Sequence, residues 1–153
     1  VRIEMPGRWE AFRDAAMPAL NLRYLSAIIL LDGRLDFVSA QSLERMAEDA
    51  KARALMERVE IVHDPAQEAA PGEPRTESAR VTVRLADGRE ESAFTPHVLG
   101  FPSHPMSAAD VEAKALELMA PCLGDDRARA VIAAVCAIEE MSEARSLIDL
   151  IAR

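Results

Sequence analysis

The chain has two cysteines in 153 residues. Cys122 and Cys136 each stand alone in a helical pattern, without a Cys-x-x-Cys pair or a neighbouring histidine cluster. That spacing gives no basis for a disulfide framework or a zinc site, and buried free thiols in a reducing cytoplasm are the expectation. Long apolar runs are also missing. The longest nearly apolar stretch, Leu25 to Leu31, is far short of the roughly 20 residues that span a bilayer. There is no segregated basic patch: Lys and Arg number 18 against 26 Asp and Glu, for a net charge of -8. The basic residues alternate with acids, as in Arg84-Leu85-Ala86-Asp87-Gly88-Arg89-Glu90-Glu91, so neither nucleic acid nor an anionic membrane surface is an expected partner. No Gly-rich phosphate loop, Gly-x-Ser-x-Gly elbow, His-Glu-x-x-His or EF-hand spacing occurs, so generic motifs are silent on the chemistry.

Half of the residues are hydrophobic and 29% are charged, the balance of a globular chain with one domain or one domain plus an extension. Val1-Arg2-Ile3-Glu4 opens without a methionine, and the expectation is that the chain begins inside a longer protein. Val1 to Met5 alternates as a half-buried strand and stops at Pro6-Gly7. Pro18 can open a helix that Leu20 to Leu31 continues, apolar on nearly every side, until Gly33 ends it. Such a helix should be buried all round. Ser39–Met46 and Glu48–Val59 predict two short helices or one broken one. Val59 to His63 returns to a period of two.

From Asp64 to Ser78 there is no large apolar side chain, which predicts a mobile loop. Ala79 to Leu85 and Arg89 to Phe94 flank Asp87-Gly88 as a hairpin, with the polar return strand suited to a sheet edge. Ser107 with Asp110 reads as the cap of a helix running to Cys122, which Pro121 should terminate or kink; Asp125 and Ser142 can cap two more. The pattern is α+β: one small antiparallel sheet of about four strands, helices inserted after the first strand, and a C-terminal helical extension. The domain reading is 1–121 for the α+β part and 122–153 for the terminal helices. Together the helices carry more apolar surface than one small sheet can cover, which implies a missing partner surface.

The chain's only tyrosine, Tyr24, heads its most apolar segment, Asn21-Leu22-Arg23-Tyr24-Leu25-Ser26-Ala27-Ile28-Ile29-Leu30-Leu31-Asp32-Gly33. A phenol there needs a hydrogen-bond partner, which could be a backbone carbonyl, Asn21, Arg23 or a ligand in a cleft. It is either a packing tyrosine or a proton-handling one. Asp32 reads first as a helix-end carboxylate. His63, His97 and His104 lack ligand spacing and read as surface histidines.

Three stretches, taken together, resemble the C-terminal region of the MmgE/PrpD family, which includes 2-methylcitrate dehydratases, cis-aconitate decarboxylases and iminodisuccinate epimerases. They are the segment just quoted; the hairpin from Ala79 to Glu90; and Gly100-Phe101-Pro102-Ser103-His104-Pro105-Met106-Ser107 leading into Asp110-Val111-Glu112-Ala113-Lys114. Their order and separations cover nearly the whole chain. The resemblance implies the smaller α+β lid domain of a two-domain, cofactor-independent enzyme that moves protons beside substrate carboxylates. Its partners would be a small polycarboxylate such as 2-methylcitrate or cis-aconitate, an N-terminal helical domain of the same protein, and further copies in a homo-oligomer.

Most catalytic participants would lie upstream of this chain. Tyr24 matches the family's site tyrosine, as general acid or substrate hydrogen-bond donor, with Asn21 as a substrate-binding candidate. Where the family often carries a basic residue before the glycine of the proline-rich turn, this chain has Leu99 before Gly100, which argues against an anion contact from that loop. The alternative reading is a stand-alone protein-binding or assembly module without catalytic activity.

Overall fold

The computed structural model describes residues 1–73 and 77–152. The chain forms two compact units, Val1–His104 and Pro105–Arg153.

The first unit is α+β. Strand β1 (Arg2–Met5) is followed by five short helices: α1 (Trp9–Arg13), α2 (Leu22–Asp32), α3 (Phe37–Gln41), α4 (Leu43–Glu48) and α5 (Ala50–Met56). Strands β2 (Glu60–His63), β3 (Ala79–Arg84) and β4 (Glu90–Thr95) complete a sheet of order β2-β1-β3-β4. The hairpin and the edge position of its polar second strand are as the sequence predicts.

One pairing differs from an all-antiparallel sheet: β1 and β2 run parallel, with Ile3 opposite Ile61. The helical excursion between them returns the chain to the end where β1 began, and a crossover of that length gives a parallel neighbour. Alternation then sorts the faces. Ile61, Ile3, Val81 and Ala93 fall on one row across the four strands, and Glu60, Arg2, Thr82 and Ser92 on the next. On the polar row Arg2 Nη1 donates to Glu60 at 3.0 Å and the Thr82 and Ser92 hydroxyls lie 3.1 Å apart.

Burial concentrates in two clusters. Ile3, Val59 and Ile61 pack with Val1, Met5, Trp9, Leu22 and Val81. Tyr24, Ile28 and Ala52 pack with Leu25, Leu31, Met46 and Met56. Tyr24 and Ile28 lie one helical turn apart, so α2 turns a single stripe inward. The expectation that α2 is buried on all sides is corrected here, because Ile29 is 45% and Leu30 47% exposed. Helix α2 also starts later than predicted. Pro18–Leu20 form a 3-10 turn, and Asn21, extended at ψ 98°, restarts the chain as an N-cap. An asparagine side chain that binds the backbone locally competes with continued helix. The predicted broken helix resolves into α3, α4 and α5, capped in turn by Asp36, Ser42 and Asp49.

The mobility predicted for 64–78 falls partly on residues 74–76, which lie outside the described residues. On either side the chain is tied by polar groups rather than apolar ones. Gln67 is buried and donates to the Glu4 carbonyl at 3.0 Å and to Asp64 at 2.9 Å, while the Ser78 hydroxyl donates to Gln67 Oε1 at 2.9 Å.

The second unit is helical: α6 (Ala108–Leu123), α7 (Asp125–Cys136) and α8 (Arg145–Ile151). Ser107 and Asp110 form the predicted capping box. Pro121 does not end α6, which runs two residues further. A proline in the last turn removes only one N–H bond, and Gly124, at φ 79°, makes the stop. Helix α8 begins beyond Ser142 and has no side-chain cap. Cys122 and Cys136 are exposed, which corrects the expectation of buried thiols; they lie off the narrow buried stripe that α7 makes with Ala128 and Val131.

Candidate functional site

The head of α2 is fixed by Asn21. Its Oδ1 accepts the Tyr24 N–H at 3.0 Å, and its Nδ2 donates to the Ala15 carbonyl at 2.8 Å. With only 7% of its surface exposed, Asn21 thus spends both ends of its amide on the backbone. Tyr24 points from there into the helical core and is fully buried. Its hydroxyl donates to the Ser39 carbonyl at 2.7 Å. That oxygen also receives the Ser42 N–H at 3.3 Å, and the Ser39 N–H is held by Asp36 Oδ1 at 2.7 Å. The phenol therefore pins α3 to α2.

Around this contact lies a charged cluster that the sequence did not announce. Arg45 grips Asp32 with two parallel bonds, Nη1 to Oδ2 at 2.6 Å and Nη2 to Oδ1 at 2.8 Å, and reaches Asp49 Oδ2 at 3.4 Å. Asp49 Oδ1 caps α5 by accepting the N–H groups of Lys51 and Ala52. A fork of this kind matches guanidinium to carboxylate geometry and fixes orientation. The Asp32 carboxyl is held below its usual range chiefly by the Arg45 hydrogen bonds, Asp36 chiefly by the Ser39 N–H, and Asp49 chiefly by the Ala52 N–H. Tyr24 moves the other way. Burial raises its pKa, Arg45 opposes this, and Asp32, Asp49 and Asp36 add to it. At neutral pH the phenol is protonated, so it is a hydrogen-bond donor rather than a base.

The structure brings Tyr24 and Asn21 to adjacent positions and joins Asp32 to the Tyr24 surroundings through Arg45. The histidines stay apart from these. His63 Nε2 lies 2.7 Å from Glu68 Oε1, which also accepts the Gly7 N–H, and His104 Nδ1 lies 3.2 Å from the His97 carbonyl. Leu99 is half exposed. Among the described residues no group of three His, Cys, Asp or Glu could hold a metal ion, and no helix is long and apolar enough to cross a membrane. Ser39 and Arg45 were missed from sequence because they meet Tyr24 and Asp32 across separations of 15 and 13 residues. The only local signals were the caps at Asp36, Ser42 and Asp49.

A small sheet joined to capped helices, with its one tyrosine sealed under them and the Arg45–Asp32–Asp49 cluster at the surface beside it, defines an α+β domain. The chain belongs to the MmgE/PrpD family, whose C-terminal domain matches residues 7–140. Among curated proteins none matches the chain.

Proposed function

We propose that this chain is the lid-like C-terminal portion of a cofactor-independent lyase or isomerase that acts on a small polycarboxylate, such as 2-methylcitrate or cis-aconitate, by proton transfer. The family match over residues 7–140 carries this reading. In it the upstream helical domain supplies most acid and base groups, and residues 1–121 form the lid. Residues 122–153 pack on the helical domain, and the assembly is a cytoplasmic homo-oligomer. Two exposed free thiols suit a reducing compartment. Exposed Val38 and Leu43, 62% and 63% accessible, and Ile148 suit surfaces that acquire partners.

Tyr24 is the proposed participant within the chain, as general acid or substrate hydrogen-bond donor, with Asn21 holding the helix start beneath it and offered as the substrate-binding residue. For the phenol to serve a substrate, its bond to the Ser39 carbonyl must be exchanged for one to the ligand as the domains close. Asn21 must likewise release Ala15. In the full-length enzyme, Tyr24→Phe is expected to lower turnover by about 100-fold or more while the fold persists. Unchanged kinetics would assign Tyr24 to packing. The 153-residue chain by itself should turn over neither 2-methylcitrate nor cis-aconitate, because proton transfer needs positioned partners that it does not supply.

One observation favours the second reading, a stand-alone binding or assembly module: the Tyr24 proton is already committed inside the chain. Sedimentation of the chain over a wide concentration range separates the two. Self-association fits the lyase portion with its uncovered helices, and a strictly monomeric species fits the complete module.

A further inference from the structure

A hollow of about 470 Å³ in the first unit is lined by Arg23, Met46, Ala47, Arg53, Met56 and Glu57. Its lining residues include two arginines and one glutamate, and Asp14, which touches Arg23 from outside the lining, is itself held by Arg13 at 2.6 Å, so the lining carries an excess of one positive charge on a chain whose net charge is -8. Neither arginine is well neutralised. Arg23 reaches Asp14 only at 3.4 Å, and its Nε is buried with no hydrogen-bond partner among the described residues. Arg53 makes no ion pair among the described residues, and Glu57, one helical turn further on, is not bonded to it. Other arginines of this unit, such as Arg2, Arg45, Arg84 and Arg89, have carboxylates within 3.0 Å or less.

Two poorly neutralised guanidiniums sharing a concavity are the usual means of holding a planar anion, because the fork matches a carboxylate and an arginine is less strongly hydrated than a lysine. Met46 and Met56, which line the hollow, also pack against the Tyr24 cluster, so they provide an apolar surface that adapts to an aliphatic stem.

We propose that this hollow is a binding site for a small monocarboxylate, whose carboxylate is shared by Arg23 and Arg53 and whose short aliphatic chain rests on Met46, Ala47 and Met56. The charge count selects one carboxylate. A second would have to lie on the methionines or beside Glu57, where like charge and desolvation both oppose it. The site is separate from the Tyr24 hydroxyl and does not rest on the lyase reading, so either can fail without the other.

Titration of the 153-residue chain with valerate at low salt, followed by ligand-observed NMR, tests the site. Saturable binding is expected, with glutarate and inorganic phosphate each weaker. Arg53→Gln should weaken valerate by about tenfold, the order expected for losing one charge-assisted bond. Arg53 is exposed, so this variant should keep its fold, which Trp9 emission verifies. Arg23→Gln should weaken valerate similarly. Glu57→Gln should shift the preference toward glutarate by adding to the positive excess. Non-saturable titration, an unchanged affinity in Arg53→Gln, or phosphate or glutarate binding as tightly as valerate in the unsubstituted chain would overturn the proposal.

Discussion

The two units carry comparable apolar patterns and bury them very differently. In Val1–His104, residues from sheet and helices converge on two clusters, and Tyr24, Ala27, Ile28 and Ala52 are fully enclosed. Among the described residues of the second unit, three helices bury only Ala128 and Val131, and Val111, Val135, Ile138 and Ile148 stay about half exposed. An apolar stripe is buried only where a second layer stands opposite it. The first unit has that layer because α2 packs on α5 through Tyr24, Ile28 and Ala52, while the sheet row through Ile3 and Ile61 takes Leu22 at the head of α2 together with Trp9. The second unit has a helical hairpin and a short third helix. Periodicity reports that a stripe exists, and the opposing layer determines whether it is core.

The comparison is strained most by acid. Five aspartates of the first unit, Asp32, Asp36, Asp49, Asp64 and Asp87, are all held below the usual carboxylate range, first by Arg45, by Ser39 N–H, by Ala52 N–H, by Gln67 and by Arg89 N–H respectively. Because the folded chain lowers these values, the unfolded chain binds protons first. The stabilisation is therefore complete above the unfolded aspartate pKa of about 3.9 and is lost as pH falls through the folded values. Progressive destabilisation of this unit is expected as pH falls below about 4, read by emission of Trp9, the chain's only tryptophan, in denaturant unfolding at each pH. A signal that stays unchanged as pH falls well below the usual carboxylate range would show that the caps contribute little.

Next in size is Ile28→Ala. The side chain is fully enclosed between Tyr24 and Ala52, so its loss should cost about 2 to 5 kcal/mol by denaturant unfolding. A cost below about 1 kcal/mol would mean the cluster collapses around the gap and is less tightly packed than it looks.

Tyr24→Phe should cost about 1 to 3 kcal/mol. It keeps the ring and removes only the donor to Ser39, leaving a part-buried carbonyl with the longer bond from Ser42. Asn21→Ala should cost about 1 kcal/mol, the common value for an N-cap, with some addition from the Ala15 contact. If Tyr24→Phe leaves stability unchanged while the full-length enzyme loses turnover, the phenol serves the substrate. Lost stability with intact turnover makes it a fastener.

These contacts mark where sequence reading runs out. The hairpin at Asp87-Gly88, the polar edge strand, the capping box at Ser107 and the stop at Gly33 are local: each is set by residues two to four apart, and each was legible. The burial of Tyr24 was legible only as a pair of alternatives, because a phenol at the head of an apolar helix is compatible with a core or a cleft. The carbonyl that settles its partner belongs to Ser39, and nothing local to Ser39 distinguishes it. The parallel β1–β2 pair was lost for a similar reason. A period of two names a strand and is silent on its direction, which here follows from the length and geometry of the helices between. The Arg45–Asp32 fork and the Arg23–Arg53 hollow likewise depend on how α2 meets α4 and α5.

The smallest effect belongs to the second unit. Ile148 lies on α8 with 59% of its surface exposed, so Ile148→Ala in the isolated chain should change stability by no more than about 0.5 kcal/mol. Substitution of an exposed apolar residue removes few contacts, whereas Ile28→Ala opens a cavity. In a longer protein that carries the proposed helical domain, the same substitution becomes informative if the terminal helices pack on that domain, because Ile148 would then be enclosed and its truncation should cost about 2 kcal/mol or more. Measuring Ile148→Ala in both contexts thus converts the contrast between the units into a single difference. A small cost in both would leave this helix without a covering layer in the whole protein and would move the partner surface away from the terminal helices to the exposed Val38 and Leu43 side of the first unit.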